Sequence, residues 1–260
     1  MIEHPAMNKT LHVATYNIHK GFSQFNRRMM VHELRDRLRQ LAPDIVFLQE
    51  VQGLHLGHVE RHSNWPEEPQ HEFLADQFWT NTAYGRNVIY DHGHHGNAIL
   101  SRFPILTAHN QDVTRLRFER RGLLHCAIDV ADQQHPLHCV CVHLSLFGRS
   151  RRKQMEALAA RLEEWVPQNA PLIIAGDFND WRNRADKLLI DRLALTEVFG
   201  GVAGRPPKSF PSTLPVFRLD RIYVRGFTIS HTEVHCGEPW SRISDHAALS
   251  AHLVAKQAPR

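Results

Sequence analysis

Again and again in this chain, an apolar run long enough to be a buried strand stops on an acid, an amide or a histidine. The run from Leu11 to Ile18 closes on Asn17, DIVFLQE on Gln49 and Glu50, and LHCVCVHL carries His143. PLIIAGDFN runs into Asp177 and Asn179, LDRIYV opens on Asp220, and Asp245-His246 precedes the last apolar run. A carboxylate beside buried apolar neighbours is unfavourable unless it is paired or bound to a metal. Singly, each has an ordinary explanation: a strand-end Asp forms turns or caps, His143 can be a satisfied core histidine, and Asp220-Arg221 can be a structural ion pair. Converging, they give the donor set of a hard-cation site with an acid/base partner.

The runs are joined by segments of helical spacing. Asn26 to Leu41 carries Met29, Met30, Leu34, Leu38 and Leu41 on one face before Pro43. Shorter helices are expected over His71–Trp79 and near Ala185–Leu193, and a long one from about Ser150 to Trp165. Between them, Asn97–Ser101, Ile105–Val113, Leu123–Val130 and Leu137–Leu144 read as a meander. Two rounds of strands and helices predict two stacked sheets flanked by helices. With 260 residues and no repeat, one core is expected: a short extension over 1–10, a single domain over 11–254 and a tail over 255–260.

Charge and cysteines narrow the setting. A net charge of +4 with 20 further histidines suits a polyanionic substrate, but no block of like charge marks a dedicated nucleic-acid arm. Cys126, Cys139, Cys141 and Cys236 lack zinc-like spacing, and Cys139 and Cys141 should share one strand face as small hydrophobes. No window approaches the roughly 18 apolar residues of a membrane span. A reduced, cytoplasmic monomer is the expectation.

YNIHKG, FLQE, GNAILSR, VHL, GDFND, LDRIYV and SDH occur in that order along the chain. Together they resemble the endonuclease/exonuclease/phosphatase (deoxyribonuclease I-like) superfamily, over about residues 11–254. HKGF, FNRR, NWP, YGRN and GHHGNA are most similar to its bacterial YbhP-type branch. The resemblance implies an α/β (α+β) fold, a four-layer α/β/β/α sandwich of two packed, largely antiparallel mixed sheets with the active site along one edge. It implies a divalent-metal-dependent phosphoesterase cutting phosphodiesters, a nuclease ahead of a phospholipase C or sphingomyelinase-like enzyme or a phosphomonoesterase. A binding module that has kept the fold is the non-enzymatic alternative.

By the same resemblance, Glu50 holds Mg²⁺ or Mn²⁺ with Asn17 and Asp245 nearby. His246 is the acid/base residue oriented by Asp220, Asp177 contends for orienting or activating water, Asn179 bonds a phosphoryl oxygen and His143 contacts the phosphate. His19 stands where AP endonucleases carry Asp, which puts a second metal position in doubt. His92-Gly93-His94-His95 reads as a polar loop leading into GNAILSR rather than a transition-metal site, with His95 and Asn97 within reach of substrate. Arg149, Arg151 and Arg152 open the long helix either as a solvated face or as phosphate-steering groups. Trp181 either stacks on substrate or covers the core. The loops at 52–70, 91–96 and 200–218 are expected to shape the entrance.

Overall fold

A computed structural model describes residues 10–55, 57, 64–131, 135–182, 184–200 and 207–256. Most of the expected N-terminal extension and C-terminal tail, and parts of the 52–70 and 200–218 loops, lie outside the described residues. The first sheet contains β1 (Thr10–Asn17), β2 (Ile45–His55), β3 (Asn81–Tyr90), β4 (Gly93–Ser101), β11 (Phe227–His235) and β12 (Ala248–Ala255) in the order β11-β12-β1-β2-β4-β3. The second contains β5 (Ile105–Asp112), β6 (Gly122–Ile128), β7 (Leu137–His143), β8 (Leu172–Asp177), β9 (Thr196–Glu197) and β10 (Asp220–Arg225) in the order β5-β6-β7-β8-β10-β9.

Each sheet is antiparallel except for one central parallel pair, β1–β2 in the first and β7–β8 in the second. A parallel pair needs a crossover, and a helix supplies it in both sheets. Helix α1 (Val31–Leu41) joins β1 to β2; α3 (Gly148–Trp165) joins β7 to β8. Among the described residues there are also three shorter helices: α2 (Gln70–Ala75), α4 (Arg184–Leu193) and α5 (Trp240–Ile243). The carboxyl ends of all four central strands therefore open at one end of the sandwich.

Three apolar clusters make the four layers physical. Val13, Phe47 and Ile99 of the first sheet face Cys139, Ile173 and Ile222 of the second. Leu34 and Leu38 of α1 and Phe73 of α2 cover the outer face of the first sheet against Val46 and Leu100. Met155, Leu158 and Leu162 of α3 cover the second against Val140, Ile174 and Tyr223. Cys126, Cys139 and Cys141 are buried and free, the last two on the shared inner face that their spacing implied.

Some local expectations are corrected. Helix α1 starts at Val31, not Asn26: the preceding residues turn back on themselves, with Ser23 N–H bonding Arg28 O and Phe22 bridging Met29. Met29 and Met30 keep helical spacing only because they pack on the same apolar cluster from this turn. The meander is split, since Asn97–Ser101 belongs to the first sheet and only β5-β6-β7 run consecutively in the second. Gly93–His95 is the start of β4, paired with Gln52, His55 and Val88–Tyr90, rather than a loop. Gly176-Asp177 ends β8 rather than breaking it.

Candidate active site

Side chains alternate across a strand, so residues two apart share a face. Asn17 shares the inner face with Val13, His143 with Cys139 and Cys141, Asp177 with Ile173 and Ala175, and Asp220 with Ile222 and Val224. These four polar residues are the last inter-sheet layer at the open end. Register places three of them side by side: His143 opposite Asp177 across the parallel pair, and Asp220 opposite Asp177 across the antiparallel one. Arg221, one residue on, points to the other face and bonds the backbone carbonyls of Asp220 and Asp180. The Asp220 carboxylate goes to His246, as the family resemblance implied, rather than to Arg221 in a structural ion pair.

Asp177 is the hub. Its Oδ2 accepts a hydrogen bond from Asn17 Nδ2 at 3.2 Å and lies 3.5 Å from His143 Nε2 and 3.8 Å from His246 Nε2. Its Oδ1 accepts from the backbone N–H of Asn179 at 2.8 Å. Asn179 adopts a left-handed backbone (φ 50°), a conformation Asn tolerates well, and its Nδ2 donates to Leu144 O. His246 is anchored on its other side by a 2.8 Å contact between Nδ1 and Asp220 Oδ2. Beneath it, Ser244 Oγ donates to Asn17 O at 2.6 Å, and Ser212 Oγ donates to Ser244 O at 2.6 Å. The last turn before β12 is thereby tied to the end of β1.

Glu50 reaches the site by a break in alternation. It has φ 57°, at a register shift in the β2–β4 pairing between Leu48 and Val51. The bulge re-aims a side chain that strict alternation would send to the outer face. Glu50 and His143 line one cleft, together with Asn87, His95, Asn97 and Arg121. Lys20 Nζ lies 3.8 Å from Glu50 Oε2, and His19 Nδ1 3.4 Å from Asp245 Oδ1. His19 N–H also bonds Asn17 Oδ1 at 3.2 Å.

The electrostatics divide the histidines. Burial pushes the His246 imidazole down, but Asp220, as charge and as hydrogen-bond partner, more than reverses this, aided by Asp177 and Asp245, and its pKa is raised to about 10. His143 is held well below its ordinary value by burial, then by Arg121, His246 and His95. His95 falls to about 4, chiefly through burial and then Lys20. Burial and the Asp220 charge push Asp177 up, against His246 and the donors Asn179 and Asn17. Burial also pushes Glu50 up, but Lys20, His19, His95 and His246 outweigh it and leave the group below the usual carboxylate range. The site at neutral pH thus pairs a cationic His246 with neutral His143 and His95 and an ionised Glu50.

The family model described as Endonuclease/Exonuclease/phosphatase family matches residues 14–246, from β1 through His246. The chain belongs to this family. It is 46% identical to YbhP of Escherichia coli (strain K12), an uncharacterized protein, over 244 residues covering 93% of this chain and 95% of YbhP. Among solved structures, an endonuclease/exonuclease/phosphatase from Beutenbergia cavernae superposes with a TM-score of 0.77 at 21% identity, covering 96% of this chain and 72% of the other. D. rerio TDP2 with single-strand DNA product follows at 0.68 and 19%, covering 94% and 98%. The Bacteroides thetaiotaomicron mannosyl-6-phosphatase Bt3783 follows at 0.69 and 16%, covering 94% and 99%. These three likenesses support the sandwich fold.

Members of this family typically depend on a divalent metal, and the residues present fit one. Glu50, Asn17 Oδ1 and Asp245 offer the oxygen donors a hard cation prefers: Lys20 Nζ lies 3.8 Å from Glu50, and His19 lies against both Asp245 (3.4 Å) and the Asn17 amide oxygen (3.2 Å). Asp177, Asp220 and His246 also bring donor atoms within 4.8 Å of one another. In that second group, however, His246 Nδ1 and Asp220 Oδ2 are already committed to each other. It suits a proton-handling relay better than a ligand set.

The outlying candidates separate. His95 and Asn97 join the cleft, where His95 Nδ1 and Asn97 Oδ1 are buried without a hydrogen-bond partner. Arg149 and Arg152 are exposed, and Arg152 pairs with Glu156 at 3.6 Å. Arg151 is not part of a solvated face: it is buried, donates to Ser145 O and Leu146 O, and stacks over Trp181. Trp181 is 41% exposed beside the GDFN turn. Two residues at the site were not singled out by the strand-end pattern. Lys20 reads as a surface lysine in a turn, and Arg121 as one of several arginines before β6.

Proposed function

We propose that the protein is a divalent-metal-dependent phosphoester hydrolase acting on phosphodiesters. One observation carries the reading: His246, fixed by Asp220 at 2.8 Å, faces Asp177 Oδ2 at 3.8 Å across a layer that also contains Asn17 and His143. Glu50, Asn17 and Asp245 would hold the cation, which when bound supplies Lewis-acid polarisation of the phosphoryl group. Asp177 then orients water and takes its proton, with Oδ1 held by the Asn179 amide and Oδ2 turned to the site. His246, protonated and held in one orientation by Asp220, gives a hydrogen bond to the phosphoryl oxygens as charge grows there. His143 and Asn179 are placed to do the same from the β7 and β8 ends.

Net charge supports a nucleic-acid substrate and a phospholipid headgroup alike. A cytoplasmic location, in keeping with the free cysteines, and a monomeric state belong to the same proposal. The test is hydrolysis of plasmid, single-stranded DNA, RNA, abasic duplex, phospholipids, inositol phosphates and bis-p-nitrophenyl phosphate, with Mg²⁺, with Mn²⁺ and with EDTA. Metal-dependent release from at least one diester that vanishes in His246→Ala is expected. Turnover of none of them, or turnover indifferent to EDTA, overturns the reading.

A further inference from the structure

The open end of the sandwich is also where the molecule leaves its large apolar side chains in solvent. Phe25 lies in the loop after β1, and Ile89 beside the β3–β4 turn, 72% and 68% exposed. Phe118 in the β5–β6 loop is 77% exposed, and Leu214 in the segment before β10 is 73%. Leu146 and Phe147, between β7 and α3, are 53% and 51% exposed. All of these segments join elements at the end where Asn17, His143 and Asp177 terminate their strands. Among the described residues, only Leu106 and Ile190 expose a large apolar side chain elsewhere. Apolar residues scattered singly over a surface need no explanation, but a ring of them around one mouth does.

Charge accompanies the ring. The β5–β6 loop adds exposed Arg115, Arg117 and Arg120, and the start of α3 adds Arg149 and Arg152. The one acid between Arg115 and Arg121, Glu119, is turned inward, bonding Ser145, Leu146 N–H and Arg121. Exposed apolar tips beside outward arginines fit a surface that is anionic at its headgroups and apolar just beneath. Single-stranded nucleic acid fits less well, because it needs open aromatic faces on which bases stack. Ile89, Leu146 and Leu214 have no ring, and the exposed rings at this end are already engaged: Phe118 and Phe147 pack edge to face (5.8 Å, 82°), Phe217 leans on Phe210 (6.5 Å), and Arg27 and Arg151 lie over Phe25 (5.3 Å) and Trp181 (4.9 Å).

We propose that this rim docks on an anionic lipid bilayer and brings headgroup phosphodiesters to the site; the substrate half rests on the hydrolase reading above. The docking half does not. Full-length protein is sedimented with vesicles of phosphatidylglycerol and phosphatidylcholine, and with vesicles of phosphatidylcholine alone. The triple variant Ile89→Ser/Phe118→Ser/Leu214→Ser changes exposed positions on three separate loops. Wild type is expected to bind the anionic vesicles at least tenfold more tightly than the neutral ones. Binding should weaken in salt and fall at least tenfold in the triple variant, whose circular dichroism and turnover of bis-p-nitrophenyl phosphate stay unchanged. Wild-type protein that turns over the soluble diester but ignores both vesicles overturns the docking proposal and leaves the hydrolase reading intact. Vesicle binding without turnover of any diester leaves the docking face standing and overturns the hydrolase reading together with the substrate half. Rim-dependent binding of a single-stranded oligonucleotide, or rim-dependent dimerisation, in place of vesicle binding would assign the face to those partners instead.

Discussion

The Asp220 carboxylate lies 2.8 Å from Nδ1 of His246, although the two are 26 residues apart and reach the site from different sheets. Asp220 begins β10 in the second sheet; His246 ends the turn that enters β12 in the first. Both are buried, so the pair keeps its proton out of solvent and its imidazole in one orientation.

Breaking that pair should cost activity more than stability. His246→Ala is expected to lower turnover of a soluble phosphodiester by about two to three orders of magnitude, the usual worth of a positioned donor to charge that grows in the transition state. Asp220→Asn preserves shape but removes the charge that raises His246, and should lose about as much. If the two act as one unit, the double variant will be little worse than His246→Ala alone. Full additivity in kcat would show that they act separately.

Metal ligation by Glu50 predicts a thermal signature independent of turnover. A cation that binds only the folded chain stabilises it by RT ln(1 + [L]/Kd), about 2.7 kcal/mol at a hundredfold excess over Kd. Mn²⁺ should therefore raise the Tm of the wild type by several degrees. Glu50→Gln removes the charge while keeping the side chain's length, and should erase most of that rise. An equal rise in both proteins would move the cation away from Glu50.

Buried histidines shape the acid limb of stability, and two of them, distant from the site, can be tested without touching it. His12, stacked 4.0 Å over His252, falls to about 4 through burial, then through His252. His125, which meets His138 Nδ1 at 2.9 Å and stacks on Trp165, also falls to about 4, through burial and then His138. In the unfolded chain both protonate near 6.5. Between that value and about 4 the unfolded state holds more protons, so stability is lost as pH falls through this window. Asp177, raised in the fold, opposes this over part of the range. His246, raised to about 10, contributes stability that is full below 6.5 and lost as pH climbs toward 10. The urea midpoint is expected to peak near neutrality, and His125→Phe should flatten its acid side. A midpoint that keeps rising below pH 6 would contradict this assignment.

What the sequence made legible was the set of strand ends, because burial makes a polar residue at the end of an apolar run conspicuous. Asn17, His143, Asp177 and Asp220 all stand out on that ground and all meet. Which end of the sandwich they share follows from the two parallel crossovers, and the helical segments between β1 and β2 and between β7 and β8 signalled those. Lys20 and Arg121 were illegible, since their placement depends on sheet pairing that no local pattern encodes. Glu50 was found by its position after FLQ, yet its orientation depends on a bulge that alternation alone would have got backwards. Met29 and Met30 misled for a related reason: an apolar stripe records which face is buried, not whether the backbone beneath it is helical.

The glycine before Asp177 gives the most local test of how the sheet builds the site. Gly176 has φ 145°, a conformation that residues with a Cβ rarely adopt, and it lies opposite Val142 in the parallel β7–β8 pairing. A Cβ here would run into the backbone carbonyl of Val142, an atom held by the strand rather than by a flexible side chain. Gly176→Ala must therefore either spread β7 from β8 or twist the end of β8. The residues that follow on the two strands are His143 and Asp177, so both responses displace the hub carboxylate from its neighbours. A loss of about 3 kcal/mol or more in urea unfolding is expected, at the upper end for single substitutions. Turnover should fall even where the variant is fully folded. Gly237→Ala is the matched control: its φ is 72°, but nothing lies within 4 Å of the added Cβ. It should show only the backbone strain, about 1 to 2 kcal/mol, with turnover kept. If the two variants lose equal stability and equal turnover, the close approach of β7 and β8 is not what aims Asp177.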